Sequence, residues 1–316
     1  MLEWVIMGHY LCSRVSVGSY GPTGAGTEGR IVQFYSPDSW REALEVKAGY
    51  LDAVPIVGGT DVMVDLNFDR ERPDVVLDLT RVLEIQEWEE ENGRLRVGAG
   101  VTYTRIIAEL RDELPGLAMA SRTVGSPQIR NRGTVGGNLG TASPAGDALP
   151  PLYASDAAVE LASTGGTRHV PVTEFVTGPK RNAMRPDELI AAFRIPRAEG
   201  PQQYSKIGTR NAMVIAVCAF GLALHPEQGK VGACLGSAAP TPVRAWEAEE
   251  FIEGVLEWDS RDEIRESALE RFGELVGEAA SPISDVRSTA AYRTHAAGVL
   301  ARRTLKWAWD EYRRSE

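Results

Sequence analysis

A glycine-rich segment at residues 133–147 contains the residue types in this sequence most suited to binding chemistry. Its glycines lack the Cβ atoms that would hold a ligand away from the backbone, and they permit positive φ angles. Small hydrogen-bonding side chains lie between them. Such a segment suits the packing of main chain against a large, polar, flat ligand, and it is not typical of a helix or a central strand. The glycines are Gly133, Gly136, Gly137, Gly140 and Gly146, and the polar residues are Thr134, Asn138, Thr141, Ser143 and Asp147.

A second candidate loop lies upstream, at residues 55–62. A short apolar run predicts a strand that leads directly into Gly58, Gly59 and Thr60, and a helix or turn is expected to follow. This order aims several backbone N–H groups at one anionic group. The loop lacks the Gly-Lys-Ser/Thr of a Walker loop and the Gly-x-Gly-x-x-Gly of a Rossmann turn, which disfavours both. Because Asp61 would repel a phosphate, we expect it to bond to hydroxyl or backbone groups instead.

Length and composition narrow the class of protein. A chain of 316 residues is long enough for about two domains. Lys and Arg number 34 against 44 for Asp and Glu, which argues against a surface for nucleic acid or for anionic membranes. No apolar run reaches the roughly 18 to 20 residues that a membrane-spanning helix needs. We interpret residues 1–29 as a flexible extension, because their second half is rich in Gly, Ser and Thr.

The three cysteines bear on cofactor chemistry and on cellular location. Cys12, Cys218 and Cys234 form no CxxC pair, so they cannot ligate an iron–sulfur cluster by themselves. Reduced thiols in a cytoplasmic protein are the simplest interpretation.

Apolar periodicity and turn residues predict the elements that must position the two loops. Residues 74–79 have a continuous apolar centre, which is typical of a strand buried in a parallel layer. Asn92 and Gly93 between two short runs predict a hairpin, and residues 102–114 have the spacing of an amphipathic helix. The polar stretch 197–202 is the expected domain boundary. Beyond it we expect a long strand at 214–224 paired with 231–236, and helices at 244–256, 261–279 and 288–314.

In combination and order, these motifs resemble the FAD-binding medium subunit of the xanthine dehydrogenase and carbon monoxide dehydrogenase family of molybdenum hydroxylases. The resemblance covers roughly residue 31 to the C terminus. It rests on both loops and on several further motifs, which are Gln128-Ile129-Arg130-Asn131, Tyr204-x-Lys206 with Arg210, residues 239–245, and Asp285-Val286-Arg287 with Tyr292-Arg293.

The family's fold is an expectation drawn from that resemblance. It is α+β, with a PCMH-type FAD-binding domain at 30–198 that consists of two α+β subdomains, about 30–86 and 87–198. A smaller α+β C-terminal domain of the CO dehydrogenase flavoprotein type would follow at 203–316.

The resemblance also implies non-covalent FAD as the cofactor. The first loop would hold the pyrophosphate on backbone amides, and Asp147 would accept hydrogen bonds from the ribityl hydroxyls. Lys206 and Arg210 would place positive charge beside the flavin, which favours its reduced anion. No catalytic residue and no metal ligand is expected in this chain. The implied cofactor-binding residues are Pro55, Ile56, Val57, Gly58, Gly59, Thr60, Asp61, Val62, Ile129, Gly133, Thr134, Gly136, Gly137, Asn138, Thr141, Ser143, Asp147, Leu189, Ile190, Lys206 and Arg210.

The family's partners follow from the same resemblance. A large subunit with a molybdenum cofactor would oxidise the organic substrate, and a small subunit with 2Fe-2S clusters would deliver the electrons to this chain. FAD would then pass them to NAD+, oxygen or another acceptor. The expected complex is a dimer of heterotrimers.

Two alternatives stay open at this point, a stand-alone flavin oxidase and a flavin-free scaffold or assembly subunit. Relatives often have an acidic residue a few positions beyond Arg210, where this chain has the sequence Asn-Ala-Met-Val-Ile at residues 211–215. Any contact from that carboxylate is therefore absent.

Overall fold

The computed structural model describes residues 32–315, which form three larger β-sheets, a two-stranded ribbon and the helices packed on them. The interpretation of residues 1–29 as a flexible extension lies outside the described residues. Within residues 32–315, no helix combines the length and the apolar character that crossing a membrane requires.

The first sheet is parallel, and its strand order is β1-β3-β2. Its elements are β1 (Gln33–Tyr35), α1 (Trp40–Gly49), β2 (Val54–Ile56), α2 (Val62–Asn67) and β3 (Val75–Asp78). Strand β3 pairs in parallel with both neighbours, which confirms the predicted buried strand of a parallel layer. Val75 and Leu77 are buried in the core of this unit. The carboxyl end of β2 leads directly into the first glycine loop.

The second sheet has five strands in the order β4-β5-β10-β6-β7, and each neighbouring pair is antiparallel. The predicted hairpin is confirmed, because Asn92 and Gly93 connect β4 to β5 with φ angles of 52° and 72°. The elements of this unit are β4 (Trp88–Glu91), β5 (Arg94–Gly98), α3 (Tyr103–Glu109), α4 (Pro115–Thr123), α5 (Pro127–Arg130), α6 (Val135–Thr141), α7 (Leu149–Ala154), β6 (Ala158–Ser163), β7 (Gly166–Pro171), α8 (Val172–Phe175), β8 (Val176–Gly178), β9 (Arg181–Asn182) and β10 (Leu189–Pro196).

The prediction that residues 133–147 would not be helical is wrong, since α6 occupies half of that segment. Thr134 caps the helix, because its Oγ1 accepts a hydrogen bond of 2.9 Å from the backbone N–H of Gly137. The helix ends at Thr141, and Ala142 caps it with a left-handed φ of 48°. Tertiary packing and a good cap therefore outweigh the low helix propensity of the glycines.

The predicted helix at 102–114 is too long, because α3 ends at Glu109. Leu110 and Leu114 continue the apolar spacing and are fully buried, but they lie in the turn before α4. Pro115 then starts α4 at a first-turn position, where the missing N–H costs nothing. Apolar periodicity alone did not mark this break.

The third sheet is an antiparallel meander in the order β11-β12-β13-β14. The predicted strand at 214–224 starts later than expected, at Cys218, because residues 214–217 belong to a connecting loop. Phe220, Phe272 and Trp309 belong to the core between this sheet and the last three helices. The elements are β11 (Gln202–Ile207), β12 (Cys218–His225), β13 (Lys230–Gly236), β14 (Val243–Arg244), α9 (Trp246–Glu253), α10 (Glu266–Ala279) and α11 (Ala290–Arg314).

The third sheet and helices α9 to α11 form a third unit. Helix α7 joins the second unit to it, because α7 packs directly on β12 and β13. Glycines on those strands permit the close approach. A Cβ at Gly232 would lie 1.8 Å from the carbonyl oxygen of Ala154, and one at Gly221 would lie 2.7 Å from Pro150 C. The three units thus enclose a common space at the end of the first sheet.

Candidate functional site

A cavity of about 780 Å³ lies among the three units. Its wall includes Gly59 and Thr60 from the loop after β2, Gly137 from α6, Ile190 from β10 and Ile215 from the loop before β12. Cavities of roughly 300 to 1,000 Å³ are typical of sites for small molecules and cofactors. The cavity is therefore the first place to test the predicted ligand chemistry.

The first loop offers unpaired backbone donors to the cavity. Among residues 32–315, none accepts a hydrogen bond from the backbone N–H groups of Gly58, Gly59, Thr60 or Asp61. Gly59 has a φ of 72°, which turns the chain between β2 and α2 at little steric cost. Successive unpaired N–H groups in such a turn form a concave site for an anionic or strongly accepting group.

The two glycine loops contact each other through their backbones. A Cβ at Gly58 would lie 2.0 Å from the carbonyl oxygen of Arg132, so only glycine allows this approach. The side chains add one further link, in which the Thr141 hydroxyl donates a 3.2 Å hydrogen bond to Asp61 Oδ2. Asp61 thus bonds to a hydroxyl group, as expected from the sequence. The two loops form one continuous wall.

Two adjacent glycines of α6 differ in what surrounds them. A Cβ at Gly136 would lie 2.5 Å from the carbonyl oxygen of Ala99, so packing requires glycine there. A Cβ at Gly137 would meet only Thr134 Oγ1, at 3.2 Å. Protein packing therefore does not require the missing side chain at Gly137, which lines the cavity. Its absence leaves open the space in front of the helix.

A buried ion pair links the floor of the cavity to the third sheet. Lys206 Nζ lies 2.7 Å from Asp147 Oδ2, and the two side chains are only 7% and 10% exposed. The Tyr204 hydroxyl donates a 2.8 Å hydrogen bond to Asp147 Oδ1. Burial raises the pKa of Asp147 above its ordinary value, although Lys206 and Tyr204 act in the opposite direction. The carboxyl group is thus held from the C-terminal side while its residue lines the cavity.

Most of the residues singled out in the sequence line this cavity. Three do not: Ile56 is the last residue of β2, Lys206 pairs with Asp147, and Arg210 is exposed and donates from Nε to the carbonyl oxygen of Met213 at 3.0 Å. The predicted residues in the wall are Pro55, Val57, Gly58, Gly59, Thr60, Asp61, Val62, Ile129, Gly133, Thr134, Gly136, Gly137, Asn138, Thr141, Ser143, Asp147, Leu189 and Ile190.

Other wall residues were not among the cofactor-binding residues predicted from the sequence. Met213 and Ile215 are 54% and 52% exposed, so apolar side chains border the cavity in the segment that lacks the acidic residue. Lys180 Nζ lies 3.1 Å from Asp65 Oδ2, and both residues line the wall. Tyr103 lines the wall from α3. Only the segment containing Met213 and Ile215 gave a sequence signal, through its departure from the family pattern.

The fold and the site together define a class of protein, one that binds a large dinucleotide-like cofactor without a Walker or Rossmann loop. Comparison with protein families matches residues 30–198 to the FAD binding domain in molybdopterin dehydrogenase. Residues 203–308 match the CO dehydrogenase flavoprotein C-terminal domain. The chain belongs to this family of FAD-binding medium subunits of molybdenum hydroxylases, which confirms the resemblance and the predicted α+β fold.

Individual relatives agree with this assignment. The chain is 34% identical over 238 residues to the nicotinate dehydrogenase FAD-subunit of Eubacterium barkeri, covering 70% of this chain and 79% of that one. It is 31% identical over 277 residues to the carbon monoxide dehydrogenase medium chain of Afipia carboxidovorans, covering 84% and 92%. It superimposes on a chain of Cu,Mo-CO dehydrogenase with a TM-score of 0.80 at 29% identity, covering 88% and 97%.

The residues present fit FAD. The first loop supplies unpaired N–H donors of the kind that bind a pyrophosphate. Gly137 and Gly140 lack side chains where protein packing would permit a Cβ, since the nearest atom at Gly140 is Ile190 Cδ1 at 3.7 Å. Leu189 and Ile190 add an apolar wall for a planar ring system.

Proposed function

We propose that this chain carries non-covalently bound FAD in the cavity and transfers electrons from a partner 2Fe-2S subunit to NAD+, oxygen or another acceptor. One observation carries the proposal: a cavity walled by two touching glycine loops, one of which presents the unpaired N–H groups of residues 58–61. When bound, FAD supplies a redox centre that accepts electrons singly and releases them in pairs.

Within this proposal the predicted site residues have distinct roles. Backbone amides of Gly58, Gly59 and Thr60 bind the pyrophosphate, and α6 lies along the remainder of the cofactor through Gly137. Asp147 accepts from the ribityl hydroxyls. Lys206 does not line the cavity, and its role is to hold Asp147 in place through their ion pair of 2.7 Å.

The proposed assembly contains a large subunit with the molybdenum cofactor and a small subunit with 2Fe-2S clusters, in a dimer of heterotrimers. The relatives' names support a role as one subunit among several, since they are a FAD-subunit and a medium chain. We propose the division into domains at 30–198 and 203–316, because the third sheet begins with β11. We propose the cytoplasm as the compartment, in line with the free thiols of Cys218 and Cys234.

Reconstitution tests the proposal directly. The purified chain is incubated with FAD and desalted, and its visible spectrum, flavin content and melting temperature are measured. We expect about one FAD per chain and a higher melting temperature, because a ligand that binds only the native state stabilises it. The loaded protein is then reduced without oxygen and mixed with NAD+ or with oxygen, with free reduced FAD as the control. A folded chain that retains no flavin would overturn the proposal and favour a scaffold role.

A further inference from the structure

Tyr103 has a position that the proposed FAD site does not yet use. It is the first residue of α3, it lines the cavity, and it is only 4% exposed. Its backbone N–H donates to the carbonyl oxygen of Gly133 at 3.0 Å, and its ring would lie 3.3 Å from a Cβ at Gly133. The aromatic ring is therefore fixed beneath the second glycine loop.

The hydroxyl of Tyr103 lacks a partner, although its residue is buried. Among residues 32–315, none forms a hydrogen bond with Tyr103 Oη. Tyr153 also has an unpaired hydroxyl, but that atom is fully enclosed by protein and Tyr153 does not line the cavity, whereas Tyr103 is a residue of the cavity wall. An unpaired buried polar group costs free energy unless a ligand or water satisfies it. Tyr103 thus brings an unpaired hydrogen-bonding group to the wall of the cavity.

The charges around this hydroxyl restrict what it can bind. Burial, together with the carboxylates of Asp147 and Asp61, raises the pKa of Tyr103 far above its ordinary value, so the phenol keeps its proton and can donate. A phosphate placed there would be repelled by the negative charge of both carboxylates. A ligand hydroxyl can instead accept from Tyr103 and donate its own proton to a carboxylate.

We propose that Tyr103 Oη donates a hydrogen bond to a hydroxyl of the ribityl chain of FAD, and that Asp147 accepts the hydrogen bond from that same hydroxyl. This assignment rests on the proposed function, since it places FAD in the cavity. Asp147 is suited to the role because Tyr204 and Lys206 fix both of its oxygens from the opposite side. Tyr103 thus extends the site from the two loops to α3.

The test compares Tyr103→Phe with Tyr153→Phe, because both replacements remove an unpaired hydroxyl from the same buried core. FAD affinity is measured by equilibrium titration, and the stability of the flavin-free proteins by thermal melting. We expect Tyr103→Phe to weaken FAD binding about tenfold, the loss of one well-placed hydrogen bond, with Tyr153→Phe unchanged. Flavin-free Tyr103→Phe should melt no lower than the parent, since the hydroxyl bonds to no described protein atom. ADP, which lacks the ribityl chain, is titrated as a competitor and should bind parent and variant alike.

The outcomes separate this inference from the proposed function. A parent chain that binds no FAD contradicts both. A parent that binds FAD, with equal affinity for Tyr103→Phe, overturns only the role of Tyr103. Equal weakening by Tyr153→Phe would show a general packing effect, and equal weakening of FAD and ADP would place Tyr103 at the diphosphate instead. Both of these results would also overturn the ribityl assignment.

Discussion

Two buried ion pairs lie where the third unit meets the second, and their surroundings differ. Arg244 and Glu249 bond through two contacts of 2.6 and 2.9 Å, and Arg244 also donates to the carbonyl oxygen of Tyr153 at 2.7 Å. Glu249 accepts a further hydrogen bond from the backbone N–H of Ala233. Asp147 and Lys206 form a similar pair of 2.7 Å, but Asp147 lines the cavity. The first pair is enclosed by protein, and the second is open to a ligand.

Because one ion pair is enclosed and the other borders the cavity, we expect the two pairs to have different roles. Burial lowers the pKa of Arg244, but hydrogen bonds to Glu249 and the nearby charge of Asp156 outweigh it and raise that pKa, so Arg244 stays charged. Burial raises the pKa of Glu249, and the hydrogen bonds and charge of Arg244 act in the opposite direction. Removal of the enclosed pair should therefore affect stability. The pair at the cavity holds a carboxyl group at the ligand site, so its removal should affect binding as well.

The largest effect is expected from Arg244→Met. The change leaves the Glu249 carboxyl buried without its cation, and we expect the free energy of unfolding to fall by about 3 to 5 kcal/mol. Urea denaturation measures the loss, and FAD affinity of the folded protein should match that of the parent. The control is Arg271→Met, which breaks an exposed pair of 3.0 Å with Glu274 and should cost at most about 1 kcal/mol. Similar losses for the two variants would contradict the contrast between enclosed and exposed pairs.

Lys206→Met should lower the free energy of unfolding by about 2 kcal/mol, less than Arg244→Met. The loss is smaller because Asp147, left without its cation, can be neutralised by a proton or solvated by water from the cavity. Without the cation, the folded-state pKa of Asp147 should rise further above its unfolded value. The folded protein then binds more protons than the unfolded chain, so stability should fall as pH rises above about 4.

Denaturation of Lys206→Met at about pH 5 and at about pH 8 checks this sign, since the deficit should be larger at the higher pH. FAD binding should weaken in the same variant. Lys230→Met removes an exposed 2.9 Å pair with Glu253 and is the control. A pH-independent deficit with parental FAD affinity would contradict the link between this ion pair and the ligand site.

The smallest effect is expected from Tyr204→Phe, which removes the 2.8 Å hydrogen bond to Asp147. We expect a loss of about 1 kcal/mol in unfolding free energy and a few-fold weaker FAD binding. Tyr292→Phe, at a residue 49% exposed, should change neither quantity. If Tyr204→Phe leaves FAD affinity unchanged while lowering stability, the hydrogen bond serves packing alone.

Local sequence patterns predicted the parts of the site that are local in the chain. Gly58, Gly59 and Thr60 directly follow a short apolar strand, and the hairpin at Asn92 and Gly93 has a two-residue turn signal. The same reasoning missed α6. The low helix propensity of glycine disfavours a helix there, but the Thr134 cap and the packing of the buried residues of α6 stabilise one.

Contacts between distant residues had no such signal. Asp147 and Lys206 are 59 residues apart, and nothing in their immediate sequence marks the ion pair. Tyr103 belongs to no sequence motif, and the role proposed for it depends on Asp147, which reaches the same cavity from another part of the chain. The strand β12 was predicted to start too early for a similar reason. Val214 and Ile215 are apolar, as strand residues often are, but they line the cavity, and the sequence does not reveal that distant contact.

The central claim is that FAD occupies the space in front of α6, and one pair of variants tests it most directly. Gly137→Leu and Gly49→Leu each add a side chain to a helical glycine. A Cβ at Gly137 would meet only Thr134 Oγ1, at 3.2 Å, and a Cβ at Gly49 would meet no atom within 4 Å. Equilibrium titration with FAD is the measurement. We expect Gly137→Leu to fold and to bind FAD about 100-fold more weakly or not at all, with Gly49→Leu like the parent. Parental FAD affinity in Gly137→Leu would contradict the account.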